Sequence, residues 1–149
     1  MNKCKKIIYF TPSFIWMVVI FLFSNEPAEV SNQNNFFIAD ALRRCKIILF
    51  KYIDYNFLNF LIRKAAHITE YFILFMLLYF ALKKTLFKNP KIKASVITVL
   101  YACTDEFHQL FVPGREGKIR DVFIDSIGLF IGLFLIYIFK FIKRYKKKK

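Results

Sequence analysis

The stretch from Val122 to Phe139, VFIDSIGLFIGLFLIYIF, decides how this chain folds. It is 18 residues long, and Asp125 is its only charged residue. About 20 apolar residues in an α-helix cross the roughly 30 Å hydrocarbon core of a bilayer. A run of this length and composition therefore predicts a membrane-spanning helix.

Three further apolar runs of similar length precede it, at residues 7–23, 65–82 and 94–112. A soluble bundle would have to bury nearly every face of all four helices, which a chain of 17.8 kDa is too small to do. Hydrophobic residues make up 57% of the sequence, and glycine and proline are scarce. We expect a single all-α domain over residues 1–149, a polytopic membrane protein with a bundle of four transmembrane helices.

The basic residues are distributed unevenly around these runs. The formal net charge of +14 is compatible with nucleic acid binding, but 15 of the 24 basic residues lie in three segments, at 3–6, 83–93 and 140–149. None of the ten acids falls there. Three basic segments on one side of four spans match the positive-inside rule. The sequence therefore predicts a multi-pass protein of a bacterial cell membrane with both termini in the cytoplasm, and no nucleic acid partner.

The segment between the first two runs is too polar to span. Residues 24–35, SNEPAEVSNQNN, indicate a polar outer loop. Residues 36–57 then carry apolar side chains at three- and four-residue steps, among them Phe37, Ala41 and Cys45. This period predicts an outer amphipathic helix between the first and second spans, lying either on the outer leaflet or over the mouth of the bundle.

Ionisable residues cluster at one end of the last three spans. Positions three or four apart share a helix face. One such face carries Arg63, His67, Glu70 and Tyr71, another Asp105, His108 and Gln109 with Glu106 a quarter-turn away, and a third Asp121 and Asp125. Charges within a span are costly and so are candidates for function, although a structural network of ion pairs is the alternative. The spacing Gly128-x-x-x-Gly132 predicts close helix packing.

Three stretches of this chain resemble the VanZ-like family, which takes its name from a determinant of low-level teicoplanin resistance. They are FSNEPAEVS (23–31), RKAAHITEYFIL (63–74) and DEFHQLFVPGREGKIRDVFIDSIGLFIG (105–132). Two departures are Phe75, where the family often has glycine, and Asp125-Ser126, where Asn-Thr or Asp-Thr is common. The resemblance implies an integral membrane protein linked to glycopeptide resistance without alteration of the peptidoglycan stem peptide.

A comparison with other four-helix enzymes that act on lipid head groups suggests a hydrolase or transferase. Its partner would be a membrane lipid or a lipid-linked cell-wall precursor at the outer leaflet. Arg63, Arg115 and Arg120 are candidates for binding phosphate. His67 or His108 would act as general base or nucleophile, oriented by Glu70 or Asp105.

The acidic residues Glu106, Asp121 and Asp125 are candidates for a divalent cation, Mg²⁺ or Ca²⁺. Zinc has no HExxH spacing to support it. Two other functions remain open. A non-catalytic protein that binds or shields a surface lipid needs the same polar site, whereas a coupled transporter is disfavoured because no inverted repeat is present.

Overall fold

The computed structural model describes residues 3–44 and 53–148, and these contain five α-helices. In chain order they are α1 (Lys3–Ser24), α2 (Ala28–Arg44), α3 (Tyr55–Lys84), α4 (Pro90–Gln109) and α5 (Ile119–Lys148). The described residues contain no strand, which confirms the all-α prediction.

Three of these helices are long and apolar enough to cross a membrane. The spans are Ile7–Ser24 in α1, Tyr55–Lys84 in α3 and Ile119–Lys147 in α5. Large apolar side chains point away from the bundle along them, for example Phe14 at 67% exposure and Phe130 at 63%. Such extensive apolar surface is costly in water and favourable in lipid. The chain is therefore a helical membrane protein.

The fourth predicted span, residues 94–112, corresponds to α4 but does not have the same character. Every 18-residue window of α4 contains at least three charged residues, since Lys93, Asp105 and Glu106 fall in all of them. Helix α4 also ends at Gln109, three residues before the predicted end of the span at residue 112. Three apolar spans, rather than the four predicted, are therefore evident from length and composition.

The helices of the bundle run alternately up and down. At one end, Gln109 of α4 donates to Ser24 of α1 and Lys64 of α3 pairs with Asp121 of α5. We call this the polar end. At the other, the Phe10 and Phe87 rings meet at 6.4 Å, and the start of α4 lines one cavity together with Lys83 of α3 and Lys140 of α5. We call this the lysine end. Helix α3 lies at the centre and contacts the other four helices.

Local sequence explains where α3 and α4 begin and end. The Asp54 side chain caps α3 by accepting from the backbone N–H groups of Asn56 and Phe57. After Thr85 the chain turns with Leu86 at φ 59°, and the Phe87 N–H bonds back to the Leu82 carbonyl. This is a Schellman ending, here with leucine in the left-handed position that usually favours glycine. Helix α4 then starts at Pro90, in the first helical turn, where proline costs no hydrogen bond.

Helix α2 begins earlier than the predicted outer helix. As described it spans Ala28–Arg44, so its start lies within the segment expected to be a loop. Its buried residues are Asn35 and Ala39, whereas Phe37 of the predicted apolar stripe is 79% exposed. Asn59 of α3 donates to Asn32, which holds α2 against the bundle. Polar asparagines and Ala39 thus make the contact with the bundle, and the predicted apolar stripe is exposed at Phe37. The stripe residues from Cys45 to Tyr52 lie outside the described residues, so the outer amphipathic helix stays a prediction.

The predicted close packing at Gly128 and Gly132 is confirmed. A Cβ atom on Gly128 would lie 2.1 Å from the Ile68 carbonyl oxygen of α3, so the two backbones touch. At Gly132 the atoms in that position belong to the Phe75 ring, which is fully buried. The large Phe75 side chain of α3 thus fits because Gly132, which faces it on α5, has no side chain. This packing fixes how far α5 stands from α3, and with it the spacing of the polar residues above.

Candidate functional site

Two adjoining cavities lie at the polar end and share Arg63, His67 and Arg115. The first, of about 230 Å³, opens between α2 and α3. It is also lined by Glu26 and Glu70 and by apolar and uncharged polar side chains such as Phe23, Asn34 and Ile38. We call it the α2 cavity. The second, of about 280 Å³, lies between α3 and the loop before α5. We call it the cationic cavity.

The cationic cavity has an excess of positive charge that its own acids do not neutralise. Its basic side chains are Arg63, Lys64, Arg115, Lys118 and Arg120, and its acids are Glu116 and Asp121. Lys64 Nζ lies 2.7 Å from Asp121 Oδ2, and Lys118 forms an ion pair with Glu116. Each acid thus has a lysine partner. Within the described part of the chain, the three arginines form no ion pair, and these are the three residues predicted to bind phosphate.

Arg115 is fixed in place by the backbone around the end of α1. Its Nε donates to the Glu26 carbonyl at 3.1 Å and its Nη2 to the Phe23 carbonyl at 3.2 Å. These two bonds leave other guanidinium donors to face the cavities. Burial, followed by repulsion from Arg63, lowers the pKa of Arg115 from its ordinary value, yet a guanidinium stays charged at any physiological pH. Two positive groups held this close favour an anion between them.

His67 is the histidine that faces these cavities. Its Nδ1 lies 3.8 Å from Glu70 Oε2 and 3.7 Å from Asp125 Oδ1, each just beyond hydrogen-bonding distance. Nδ1 and the other Asp125 oxygen, Oδ2, are buried and have no hydrogen-bond partner. Buried polar atoms without partners are rare and need an explanation, often a functional one. The structure therefore brings together His67, Glu70 and Asp125 from two helices.

Asp105 lies deeper, in a network that holds α1, α3 and α4 together. The Tyr71 hydroxyl donates to Asp105 Oδ2 at 3.1 Å, and Gln109 Nε2 approaches the same oxygen at 3.4 Å while donating to Ser24 at 3.1 Å. Asp105 is 4% exposed and lines neither cavity. Its contacts are those of a residue that fixes helix positions.

His108 is not paired with Asp105, although the two share a helix face. Its Nε2 lies 3.2 Å from Asn25 Oδ1, and its ring packs against Phe21 at a centroid distance of 4.7 Å. It also lines neither cavity. The predicted arrangement in which Asp105 orients His108 as the catalytic base thus has no direct contact to support it.

The three predicted cation ligands have separate partners. Glu106 accepts the backbone N–H of Lys118 at 2.8 Å, Asp121 pairs with Lys64, and Asp125 faces His67. In residues 3–44 and 53–148, no group of three or more His, Cys, Asp or Glu side chains is arranged to hold a metal ion. These residues do not fit the cation predicted for them, and we derive no chemistry through a metal.

Several residues at the site were not among the candidates from sequence. Lys64 and Lys118 pair with the cavity acids, and Asn34 and Asn35 line the α2 cavity. The two lysines had a signal in the sequence, because each is within four residues of a candidate arginine. The asparagines had none, since helix α2 was expected to begin after them.

These features define a class: a helical integral membrane protein with an arginine-rich polar site at one end of its bundle. The chain belongs to the VanZ family, because the family model described as VanZ/LLP1 matches residues 9–140. Comparisons with curated proteins and with solved structures gave no match.

Proposed function

We propose that this VanZ-family protein binds the phosphate-bearing head group of a membrane lipid, or of a lipid-linked cell-wall precursor, and acts on it at the outer leaflet. The observation that carries the proposal is the cationic cavity, where Arg63, Arg115 and Arg120 remain after both acids have paired with lysines. Planar guanidinium groups bind phosphate oxygens in pairs. The adjoining α2 cavity, lined by Phe23, Ile38 and Ala66 among others, suits a less polar part of the same lipid.

His67 is the residue best situated for chemistry on that head group. Glu70 and Asp125 both face its Nδ1, and two carboxylates there favour the tautomer with the proton on Nδ1. Nε2 then carries the lone pair that accepts a proton from an attacking water or alcohol. The attacking oxygen forms a bond to phosphorus as the bond from phosphorus to the leaving alcohol oxygen breaks, and the proton taken up by Nε2 passes to that leaving oxygen. Water as the attacking group makes the protein a head-group hydrolase, and an alcohol makes it a transferase.

One observation favours a second candidate, a non-catalytic protein that binds or shields the same lipid. The distances of 3.7 and 3.8 Å around His67 Nδ1 are longer than hydrogen bonds, so no base and orienting acid are in contact. Catalytic contacts often tighten only when substrate binds, and turnover therefore has to be measured directly.

A lipid panel incubated with purified protein, followed by mass spectrometry of the head groups, tests both candidates. We expect the wild-type protein to form product. The His67→Gln variant should form none but should still bind lipid. His108→Gln is the matched control, because it removes the other histidine without touching either cavity. Binding by wild type without any product would favour shielding. Equal binding by wild type and an Arg63→Gln/Arg120→Gln variant would contradict the head-group proposal itself.

The family resemblance links this function to low-level teicoplanin resistance, which we propose for this chain as a consequence of head-group binding. Expression of the wild type should raise the inhibitory concentration of teicoplanin. Arg63→Gln/Arg120→Gln should not, despite equal amounts in the membrane. Resistance that survives this substitution would separate it from the cationic cavity.

The arrangement of the helices supports a four-span topology with both termini in the cytoplasm. Helix α3 ends at the lysine end and α5 begins at the polar end, so α4 has to travel between them. Its 20 residues cover about 30 Å, the thickness of the hydrocarbon core. The lysines at the ends of α3 and α5 then lie on the cytoplasmic side, as the positive-inside rule requires.

A further inference from the structure

A second pair of adjoining cavities lies at the lysine end, far from the site described above. One, of about 310 Å³, is lined by Tyr79, Lys83, Asn89, Lys91 and Lys140 among others. The other, of about 370 Å³, runs between α3 and α5 along Met76, Phe80, Ile136 and Phe139. Tyr79, Lys83 and Lys140 line both, so a cationic cavity continues directly into an apolar groove.

We propose that this lysine-end site binds one anionic phospholipid, with its head group among the lysines and an acyl chain in the groove. Free phosphate would satisfy the lysines but would leave the groove unused. A lipid fits both parts of the site, with its charged head group in the lysine-lined cavity and an acyl chain in the apolar groove. The groove extends from the cavity toward the apolar middle of α3 and α5.

The charge around the site selects an anionic head group over a zwitterionic one. Lys83, Lys91, Lys140 and Lys143 line the two cavities. Neither residues 76–93 nor residues 136–149 contain an acid. A choline or ethanolamine ammonium group would meet only like charge here, whereas a phosphate with an uncharged substituent such as glycerol would not. Basic clusters between helices at a membrane surface are suited to such lipids.

This site is independent of the proposed function. On α3, Lys83 lies 20 residues beyond Arg63, which corresponds to about 30 Å along the helix. The two sites therefore sit at opposite ends of the bundle and share no residue.

Native mass spectrometry of the purified protein with an equimolar mixture of phosphatidylglycerol and phosphatidylcholine tests the proposal. We expect the wild type to retain phosphatidylglycerol selectively and Lys83→Gln/Lys140→Gln to retain about 25-fold less at this site, since each lysine near an anionic lipid contributes on the order of fivefold. Lys84→Gln/Lys88→Gln is the matched control, with the same charge change at the same end but outside both cavities. It should behave as wild type.

Two results would overturn the proposal. Equal losses in the two double variants would mean diffuse attraction to a basic surface, and equal retention of both lipids by the wild type would mean no head-group selection. The second comparison uses the unaltered protein and so holds even if a variant fails to fold. Arg63→Gln/Arg120→Gln should leave the lysine-end lipid in place, which keeps failure at this site distinguishable from failure of the head-group proposal.

Discussion

At the scale of the single residue, two buried acids of this protein have different surroundings, although both line neither cavity. Asp105 holds helices together, because its Oδ2 accepts from Tyr71 of α3 and from Gln109 of its own helix. Asp125 lies beside a cavity residue, because one of its oxygens is 3.7 Å from His67 and the other has no hydrogen-bond partner. Sequence spacing alone cannot separate these two roles.

The role of Asp105 leads to a prediction for Tyr71→Phe. The substitution keeps the buried ring but removes the hydroxyl that donates to Asp105, leaving a buried carboxylate oxygen with one long contact. Loss of a partner to a buried polar group costs about 1–3 kcal/mol. We expect a matching fall in the free energy of unfolding, measured in detergent. Tyr137→Phe, at a position 61% exposed, is the control. Unchanged stability in Tyr71→Phe would show that this hydrogen bond does not hold the bundle.

The helical period predicted part of the site correctly and could not supply the rest. It gave Arg63, His67 and Glu70 a common face, and His67 does face Glu70 at 3.8 Å. Whether two residues on different helices meet depends on the depth and rotation of each helix, which a periodic pattern does not encode. For this reason the contact of His67 with Asp125 came only from the structure, and the expected pairing of Asp105 with His108 was not found.

At the scale of the element, the contact between α3 and α5 sets the geometry of the site. Gly128 brings the α5 backbone against Ile68 and Phe72. Asp125 lies one turn before Gly128 on α5, and His67 immediately precedes Ile68 on α3. The tight packing was predictable, because small residues four apart in an apolar helix favour it. The extent of α2 was not, since its buried face consists of Asn35 and Ala39 and so lacks an apolar stripe.

Gly128→Ala tests the importance of this contact. The added Cβ would lie 2.1 Å from the Ile68 carbonyl oxygen and 2.7 Å from the Phe72 nitrogen, both backbone atoms that cannot rotate away. The helices must separate, and overpacking of this kind costs about 1–3 kcal/mol or more. We expect a lower unfolding temperature in detergent, together with slower product formation, because His67 and Asp125 move apart. Ile127→Ala, at the neighbouring position 45% exposed, should change little. A wild-type unfolding temperature for Gly128→Ala would contradict the backbone contact.

At the scale of the whole molecule, the two ends of the bundle have opposite characters. The polar end combines arginines with most of the buried acids, and the lysine end has cations without acids. This division was visible in the sequence, because charge segregation between alternate loops is read directly from residue types. The number of spans was harder to obtain. Helix α4 carries charges near both ends, so its hydropathy does not mark it as a membrane span. We infer that it crosses the membrane because it connects the lysine end of the bundle to the polar end.

The count of spans can be decided by fusing reporters at three points along the chain. Four crossings place residue 149 on the same side as the N-terminus, whereas three crossings, with α4 excluded, place it on the opposite side. We expect alkaline phosphatase, which is active only outside the cytoplasm, to be active when fused after Glu116 and inactive after Lys88 or Lys149. Green fluorescent protein, which fluoresces only inside the cytoplasm, should give the reverse pattern and so control for expression.

Phosphatase activity after Lys149 would exclude the four-span topology with cytoplasmic termini. It would also remove the reason for placing the cationic cavity at the outer leaflet, because that assignment depends on α5 returning to the cytoplasmic side.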